Sequence, residues 1–515
     1  MNDSELPRLI QQMLEPDFYP HPVQEPIELL QTHISFILLT GEYAYKIKKI
    51  VDFGFLDYST LEKRRYFCEQ ELQMNQQQAP ELYLEVLPIV EIGDRLQFGE
   101  NQNQNNAIEY SLKMRQFPQE NLFINLFNQD KLTKQEMEDL GNIVAKFHLS
   151  CPTNDDILKF GEIPQIRHSI DGNYQKTQKY IGGCQTQEQY EQTKQYTDSF
   201  FETHEAIFNG RIDNRWIREC HGDLHLKNIC IYQDKILLFD RIEFNQEFRF
   251  VDVIYDVAFV VMDLEGRGRA DLGNQFLNTY IEQTGDWEGL QLLPFYLTRQ
   301  AYVRAKVNSL ILDDPAITEE QKEIAQQEAT QYYKLAWQYT RRSSGGIVMM
   351  SGLSGSGKST TARQISKRLN AIHIRSDAVR KHLANVPLDE QGGEEIYTPE
   401  MTEKTYKRLL ELGLLLAKQG FWVILDAKYE QQERRGEVIE TCHTHQLPLQ
   451  IVECTAPMDI LQERLQQRQG DISDATIDLL TSQRDTSQPF TDSEKNYVTT
   501  IDTTQNIDQQ WKKLY

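Results

Sequence analysis

The most constraining feature of the chain is a glycine-rich segment, G-L-S-G-S-G-K-S, which follows an apolar run at residues 347–350. Glycines at this spacing let successive backbone N–H groups curl around a polyphosphate without Cβ clashes. The lysine of the segment reaches the β- and γ-phosphates, the serine ligates Mg²⁺, and the following helix points its positive end at the anion. The pattern predicts a strand, a loop and a helix that bind a nucleotide through Gly352, Ser354, Gly355, Ser356, Gly357, Lys358, Ser359 and Thr360.

Length and composition define the broad class of protein. A chain of 515 residues is too long for one hydrophobic core, so two or three domains are expected. A hydrophobic content of 39% with 25% charged residues is ordinary for a soluble globular protein. No apolar run approaches a membrane span, the N-terminus lacks a secretory signal, and the seven cysteines contain no C-x-x-C pair. We therefore expect a cytoplasmic protein without a membrane partner.

The formal net charge of −23 is unevenly distributed along the chain. Only 20 basic and 24 acidic side chains lie from Ser343 onward, so most of the acidic excess lies upstream. An acidic surface favours solubility and opposes a broad nucleic-acid footprint. We therefore do not expect nucleic acid to be the main partner, and the sequence gives no indication of the oligomeric state.

A change of pattern near residue 342 divides the chain into two predicted domains, 1–342 and 343–515. Beyond a polar joint at 341–346, apolar runs typical of buried strands alternate with helical patterns, which is typical of a parallel sheet wrapped by helices. We therefore predict a C-terminal α/β domain whose site lies at the carboxyl ends of the strands. The apolar runs lie at 347–351, 371–375, 421–425, 449–454 and 498–501.

The upstream part of the chain has a different order of elements. Short strand patterns dominate residues 33–117 and helical patterns dominate from 133 onward, which predicts an α+β domain with a small sheet lobe and a larger helical lobe. The polar tract 101–106 lies between two strand-like runs, 95–98 and 107–110. We interpret this tract as a hairpin loop.

Two carboxylates follow strands of the predicted C-terminal sheet. Asp377 comes after the second strand, beside the γ-phosphate, where an acceptor hydroxyl must lose its proton. We predict that Asp377 is the general base and that Arg380 is a substrate clamp, although Asp377 alternatively only caps the next helix. Asp426 ends the third strand and suits a ligand of Mg²⁺-bound water.

A helix after the fourth strand carries Arg464 and Arg468, which are four residues apart and therefore share a face. The segment Gln469-Gly470-Asp471 follows them and is a suitable hinge. Two arginines on a mobile lid would neutralise the charge that develops on a transferred phosphoryl group. The alternative is a solvated helix face with local ion pairs.

These residues resemble the small P-loop kinases that include gluconate kinases, the zeta-toxin family, chloramphenicol phosphotransferase and polynucleotide 5′-kinases. The resemblance rests on G-L-S-G-S-G-K-S, on S-D-A-V-R after the second strand, on V-I-L-D-A at the third strand and on R-x-x-x-R in the lid. It spans nearly all of 346–515 and implies phosphoryl transfer from ATP to a hydroxyl. Lys428 is a departure, because the related proteins often carry a small or hydroxyl residue after D-A.

A second chemical signature lies in the upstream domain, where residues 221–228 read H-G-D-L-H-L-K-N and an apolar run ends in Asp240. An Asp, an Asn five residues later and an Asp on a following strand form the arrangement of protein-kinase-like catalytic loops. In that arrangement Asp223 orients or deprotonates the acceptor hydroxyl, while Asn228 and Asp240 hold the metal ions. The form H-G-D-x-H-x-x-N resembles the aminoglycoside phosphotransferase and choline kinase group.

The resemblance implies a lysine and glutamate pair upstream. Residues 42–49 read E-Y-A-Y-K-I-K-K, an alternating strand in which Lys46 would contact the α- and β-phosphates of ATP. Lys48 and Lys49 remain alternatives if the register differs. Glu71 is the expected ion-pair partner, with Glu69 as its competitor.

Further implied positions complete the upstream site. The strand 111–115 would supply the hinge that receives adenine, with Met114 at the contact, and Asp256 matches the downstream structural aspartate of the group. The whole chain resembles a bacterial family that fuses an aminoglycoside-phosphotransferase-like domain to a P-loop kinase-like domain. The runs V-D-F-G-F-L-D from Val51 and F-D-R-I-E-F-N from Phe239 are typical of it.

The sequence leads to a bifunctional kinase hypothesis. Each domain would bind ATP and Mg²⁺ and transfer the γ-phosphoryl group to a hydroxyl of a small molecule. One alternative is a nucleotide-sensing regulatory protein with ATPase activity. Another is a polynucleotide 5′-hydroxyl kinase in the C-terminal domain, which the acidic balance opposes.

Overall fold

The computed structural model describes residues 6–99, 106–314, 317–341, 345–467, 472 and 478–510. Fifteen strands lie in this part of the chain. They are β1 (Glu28–Gln31), β2 (Ser35–Leu39), β3 (Tyr43–Lys48), β4 (Tyr83–Ile92), β5 (Arg95–Phe98), β6 (Ala107–Arg115), β7 (Ile217–Glu219), β8 (Ile229–Tyr232), β9 (Lys235–Leu238), β10 (Phe250–Asp252), β11 (Gly346–Ser351), β12 (Ile372–Arg375), β13 (Trp422–Asp426), β14 (Leu449–Thr455) and β15 (Val498–Asp502).

Twenty α-helices connect and cover these strands within the described ranges. They are α1 (Arg8–Met13), α2 (Leu61–Asn75), α3 (Phe123–Asn128), α4 (Lys134–Ser150), α5 (Asp155–Leu158), α6 (Ile163–Thr177), α7 (Gln187–Thr203), α8 (Glu205–Asp213), α9 (Gln246–Arg249), α10 (Val253–Gly266), α11 (Ala270–Thr284), α12 (Leu293–Ile311), α13 (Glu319–Tyr339), α14 (Lys358–Leu369), α15 (Ser376–Leu383), α16 (Pro399–Lys418), α17 (Gln432–Thr444), α18 (Met458–Gln467), α19 (Asp478–Thr486) and α20 (Ile507–Gln510).

The chain forms two compact units whose boundaries differ from a single cut in the sequence. Unit 1 comprises Met1–Leu132, Ser150–Ser169 and Phe208–Val260. Unit 2 comprises Thr133–Leu149, Ile170–Ile207 and Val261–Tyr515. The predicted domain boundary at residue 342 stays a prediction, because residues 342–344 lie outside the described ranges.

Unit 1 is built on a six-stranded antiparallel sheet in the order β1-β2-β3-β6-β4-β5. Strand β3 is central and almost wholly buried, so the polar side chains on it are held away from water. A cluster of apolar side chains packs on the sheet, including Leu38, Ile47 and Ile89. Two short two-stranded ribbons, β7 with β10 and β8 with β9, carry the loop that follows Glu219.

The predicted hairpin between β5 and β6 is wrong. Strand β5 pairs with β4, and β4 in turn pairs with β6, so β5 lies at the edge of the sheet. The true hairpin is closed by Gly93 and Asp94, and Gly93 has a φ of 63°. Glycine adopts this left-handed conformation without Cβ strain, which suits a two-residue hairpin turn. Most of the tract 101–106 lies outside the described residues.

Unit 2 contains a five-stranded sheet in the order β12-β13-β11-β14-β15, and every pairing in it is parallel. The predicted parallel sheet of a P-loop kinase fold is therefore confirmed, and its strands lie within one residue of the predicted runs. Strand β11 is buried along its full length, as expected for the middle of a sheet covered on both faces. Its carboxyl end leads directly into the glycine-rich segment.

Helix α11 of unit 2 covers the outer edge of β12. Oδ1 of Asn278 accepts a hydrogen bond from the backbone N–H of His373 at 2.7 Å. The side-chain amides of Asn278 and Asn274 donate to the carbonyl oxygen of Ala371 at 3.0 and 2.9 Å. Because an edge strand otherwise leaves backbone groups unpaired, these amides complete the hydrogen bonding of the sheet.

All seven cysteines are free and buried. Across the described helices, none combines the length and the apolar character needed to cross a membrane.

Candidate active sites

The glycine-rich loop connects β11 to α14 and has a backbone that only glycine adopts without strain. The φ angles of Gly352, Gly355 and Gly357 are 137°, 78° and 83°. A Cβ at Gly352 would lie 2.4 Å from the carbonyl oxygen of Cys454, and one at Gly355 would lie 2.8 Å from that of Leu461. The loop therefore packs closely against its neighbours, and its N–H groups lie at the N-terminus of α14.

Lys358 is the first residue of α14, and its side chain lies across the loop. Its Nζ donates to the carbonyl oxygen of Leu353 at 2.8 Å. Burial lowers the pKa of Lys358, while the nearby carboxylates of Asp426 and Asp377 oppose that shift. A partly desolvated ammonium of this kind gains from an anion placed beside it.

Asp426 is the last residue of β13, and His373 of the adjacent strand β12 holds its side chain. Nε2 of His373 lies 2.9 Å from Oδ2 of Asp426. Burial favours the protonated acid, but the hydrogen bond from His373 and the charges of His373, Arg375 and Lys358 keep the pKa of Asp426 below its usual range. Asp426 is thus an ionised carboxylate, which fits a ligand of Mg²⁺-bound water.

Asp377 lies in the first turn of α15, directly after β12. The N-cap of this helix is Arg375 and makes no side-chain cap hydrogen bond, so Asp377 does not occupy the capping position. Arg380 follows one turn later and is buried. Its Nη1 donates to the carbonyl oxygen of Ile396 at 2.9 Å and to Oγ1 of Thr402 at 3.2 Å.

Arg464 reaches back from α18 to the glycine-rich loop. Its guanidinium donates to the carbonyl oxygen of Gly355 at 3.3 Å and to Oγ1 and O of Thr503, both at 2.8 Å. The loop, the helix and the segment after β15 are thereby tied together. Arg468 and the predicted hinge 469–471 lie outside the described residues, so the arrangement of the lid stays a prediction.

These elements line an open cavity of about 1440 Å³ at the carboxyl ends of the parallel strands. Gly352 and Ser356 lie in the loop beneath it, and Ser356 is buried. The predicted residues that line the cavity are Ser354, Gly355, Gly357, Lys358, Ser359, Thr360, Asp377, Arg380, Asp426 and Arg464.

In unit 1, the loop 221–228 is fixed by Asp256 of α10. Oδ2 of Asp256 accepts the backbone N–H of His221 at 2.7 Å, and Oδ1 accepts that of Gly222 at 2.9 Å. Gly222 has a φ of 88°, and a Cβ there would lie 2.5 Å from the carbonyl oxygen of Phe248. The buried carboxylate and the glycine together set the path of the loop.

The neutral side chain of His221 links this loop to the backbone of Phe239. Its Nε2 lies 2.9 Å from the carbonyl oxygen of Phe239, and its Nδ1 accepts the backbone N–H of Asp223. Burial lowers the pKa of His221 below its usual value. One ring nitrogen therefore donates and the other accepts, which is the pattern of a neutral imidazole.

Lys46 of β3 links two carboxylates of unit 1 that are distant in sequence. Its Nζ lies 2.7 Å from Oε1 of Glu71 on α2 and 2.7 Å from Oδ1 of Asp240. Burial opposes the charge of Lys46, but Asp240 and Glu71 outweigh it and hold its pKa above the usual range. Asp240 has a φ of 61°, a conformation that L residues adopt at a cost and that is common at functional sites.

The alternative lysines and the alternative glutamate have other partners. Lys48 lies deeper and donates to the second oxygen of Glu71 at 2.7 Å and to Glu243. Lys49 donates to the carbonyl oxygen of Thr32 on an exposed face. Glu69 forms a surface ion pair with Arg65. Lys46 is thus the lysine of the three that meets Asp240.

The remaining predicted residues of this site lie along the same loop and on the sheet. Nδ2 of Asn228 donates to the backbone oxygen of Asp223 at 2.9 Å and lies 3.3 Å from its Oδ2. His225 Nε2 lies 3.4 Å from the same carboxylate oxygen. Met114 is partly buried on β6, in register with Ala44 of β3.

Sequence reasoning did not identify His373, Thr503 and Arg434, and the last two also line the cavity. Thr503 comes directly after β15 and could have been found from that position, because carboxyl ends of parallel strands meet at the site. His373 and Arg434 carry no such signal, since their roles depend on which strands and helices become neighbours.

Comparison with known proteins places this geometry among P-loop proteins. Residues 347–490 match the protein family described as an AAA domain. An adenylyl-sulfate kinase of Myxococcus xanthus is 32% identical over 133 residues, which cover 24% of this chain and 64% of that protein. The prediction of an ATP-dependent kinase that works with ATP and Mg²⁺ is thereby confirmed at the level of enzyme class.

A likeness over nearly the whole chain also exists. A protein of Mycobacterium tuberculosis (strain H37Rv), described as uncharacterized, is 28% identical over 466 residues and covers 89% of this chain and 90% of that protein. Among solved structures, a gluconokinase from Sinorhizobium meliloti 1021 is 22% identical, covers 34% of this chain and 90% of its own, and gives a TM-score of 0.25.

Proposed function

We propose that the chain is a bifunctional ATP-dependent phosphotransferase. One centre lies at the glycine-rich loop of unit 2 and the other at the loop 221–228 of unit 1. Each would transfer the γ-phosphoryl group of ATP to a hydroxyl of a small molecule. The observation that carries the proposal is the cavity at the ends of the parallel strands, whose lining includes Lys358, Asp377 and Asp426.

The chemistry at the unit 2 site follows from these side chains. Lys358 and the N–H groups of the loop would neutralise the β- and γ-phosphates, while Ser359 and Asp426 would hold Mg²⁺ and its water. The carboxylate of Asp377 would accept the proton of the acceptor hydroxyl while the hydroxyl oxygen forms a bond to the γ-phosphorus. The bond from that phosphorus to the β–γ bridging oxygen would break, and ADP would leave.

The unit 1 site is supported by the ion pairs of Lys46. The lysine lies between Glu71 and Asp240. In kinases of this kind one carboxylate orients the phosphate-binding lysine, which would be the role of Glu71, and a second carboxylate beside it binds the metal, which would be the role of Asp240. Asp223 would orient or deprotonate the acceptor, and its hydrogen bond from Asn228 would hold it in place. Asn228 and Asp240 would bind the metal ions.

A radiolabel screen tests the proposal. Purified full-length protein would be incubated with γ-labelled ATP and alcohols, sugars, nucleosides, aminoglycosides and 5′-hydroxyl oligonucleotides. We expect labelled product from at least one small molecule in each centre. Asp223→Ala would remove the products of unit 1 and Asp377→Ala those of unit 2. ATP hydrolysis that no acceptor stimulates would favour a regulatory protein, and label on oligonucleotides would favour a polynucleotide kinase.

A further inference from the structure

We infer that the acceptor of the unit 2 site is an alcohol that also carries a negatively charged oxyanion group, bound by Arg380 and Arg434. The inference rests on the proposed phosphoryl transfer at this site and specifies the class of acceptor. Phosphate, sulfate and carboxylate groups share the chemistry that two guanidinium groups recognise, namely several acceptor oxygens around one negative charge.

Arg380 is a buried cation without a carboxylate partner in the described part of the chain. Only 7% of the residue is exposed, and it lines the cavity. Its two hydrogen bonds go from Nη1 to the neutral oxygens of Ile396 and Thr402. Its Nε is buried and has no hydrogen-bond partner among the described residues. A buried charge of this kind is costly unless an anion approaches it.

Three other buried arginines of the protein are paired with carboxylates. Arg435 is 1% exposed and donates from Nε and Nη2 to the two oxygens of Glu494, at 2.8 and 3.2 Å. Arg64 and Arg211 are likewise buried against Glu109 and Asp252. Arg380 differs from these three in lacking a carboxylate, and it also differs in facing a cavity.

Arg434 of α17 supplies a second guanidinium on the cavity wall. Its carbon Cζ lies 4.0 Å from the ring centroid of Tyr406, and that of Arg380 lies 5.1 Å from the centroid of Tyr397. Stacking on a ring fixes the plane of a guanidinium and leaves its N–H edge for a ligand. Arg434 also forms no ion pair with the residues that the structure describes.

The charge of the cavity supports an anionic acceptor. Its lining contains seven cationic and four anionic side chains, although the whole chain has a net charge of −23. Of the four acids, Asp377 and Asp426 have proposed catalytic roles, and Glu430 lies 3.6 Å from Lys428. Lys358 and Arg464 contact the glycine-rich loop, where ATP would bind. The hydrogen bonds and ring contacts of Arg380 and Arg434 with described residues go to other parts of the structure, and we assign these two arginines to the acceptor.

Oxyanion binding with the nucleotide site filled is the direct test. Full-length protein saturated with Mg²⁺ and a non-hydrolysable ATP analogue would be titrated calorimetrically with sulfate, phosphate and gluconate at constant ionic strength. We expect saturable binding of at least one anion. Arg380→Met and Arg434→Met would each weaken it by about 10-fold to 100-fold, which matches the loss of one charge-assisted hydrogen bond.

Matched variants distinguish this loss of anion affinity from an effect of misfolding and from an effect of lower net positive charge. Lys407→Met removes a positive charge from the exposed face of α16 and should leave anion binding unchanged. Arg380→Lys keeps the charge and should bind more tightly than Arg380→Met. Melting temperatures would show that each variant is folded. Because Arg434 is only partly buried, its substitution should disturb folding less than that of Arg380.

Transfer assays separate failure of this inference from failure of the proposed function. The acceptors would be compared in pairs that differ in charge: gluconate with glucose, glycerol 3-phosphate with glycerol, and AMP with adenosine. We expect kcat/KM to favour the charged member of the preferred pair at least 10-fold. Absence of saturable anion binding, or equal transfer to neutral members, would overturn the inference. Anion binding without any ATP turnover would contradict the proposed function alone.

Discussion

Nε2 of His373 lies 2.9 Å from Oδ2 of Asp426, and the two side chains are only 5% and 3% exposed. The pair joins neighbouring strands, β12 and β13, at the floor of the unit 2 site. A carboxylate that binds a metal or its water depends on partners that fix its orientation. His373 is therefore a positioning residue for Asp426.

The first prediction concerns this pair. His373→Leu removes the hydrogen bond to Asp426, so we expect the Mg²⁺ concentration for half-maximal ATP turnover to rise about 10-fold, with a smaller change in the KM for ATP. A Mg²⁺ titration at fixed ATP measures the first quantity, and an ATP titration at saturating Mg²⁺ measures the second. His443→Leu, on the exposed end of α17, is the control. An unchanged Mg²⁺ requirement in His373→Leu would contradict the assigned role.

The second prediction concerns the edge of the parallel sheet. Asn278→Asp keeps the oxygen that accepts from His373 but replaces the amide that donates to Ala371 with a second oxygen. We expect a loss of about 1–3 kcal/mol of stability, because two acceptors would then face each other in a partly buried place. Thermal unfolding measures this loss. A melting temperature equal to that of the unmodified protein would show that α11 does not support β12.

The third prediction compares two glycines with similar backbone angles. Gly222 and Gly54 have φ values of 88° and 80°, but only Gly222 has a backbone oxygen 2.5 Å from an added Cβ. Gly54→Ala should cost about 1 kcal/mol from its backbone angle alone. Gly222→Ala should cost more and should also displace Asp223. Chemical unfolding together with unit 1 activity tests this, and equal effects of the two substitutions would refute it.

The fourth prediction is a dependence of stability on pH. Burial lowers the pKa of Lys306 from 10.5 to about 8, and Lys176 and Arg299 add repulsion. Between pH 8 and 10.5 the unfolded chain therefore binds more protons than the folded chain, and stability rises with pH. Below pH 8 the folded protein retains the full penalty of a charged, poorly solvated lysine.

Lys306→Met removes the penalty and provides the measurement. Its melting temperature relative to the unmodified protein should be highest below pH 8 and should decline as the pH approaches 10.5. The loss of the hydrogen bond to Asn173 acts at every pH and sets a constant offset. A difference that is the same at pH 7 and pH 10 would show that Lys306 does not titrate in this range.

The sequence predicted the parts of the fold that depend on local patterns. The strands of the parallel sheet followed from apolar runs. The β4–β5 hairpin was missed, although Gly93 and Asp94 are a recognisable turn. The longer polar tract at 101–106 was interpreted as the hairpin loop instead. A turn of two residues leaves less signal in composition than a tract of six.

The predicted site residues belong to sequence motifs whose spacing is typical of a particular chemistry. Residues whose role depends on contacts between distant parts of the chain were not predicted. The loop 221–228 and Lys358 have fixed spacings. Alternation along β3 places Lys46 and Lys48 on the same face, and both contact Glu71. The choice between them needed the fold, which places Asp240 against Lys46. The pairing of His373 with Asp426 depends on the order of strands in the sheet, which no local pattern contains.

The most direct measurement of the central claim is γ-phosphoryl transfer by a variant that combines Lys358→Ala with Asp223→Ala. One substitution removes the lysine proposed to bind phosphate in unit 2, and the other removes the carboxylate proposed to act on the acceptor in unit 1. Each single variant should retain the product of the other centre. The double variant should transfer no label to any acceptor. Full activity in the double variant would contradict the account.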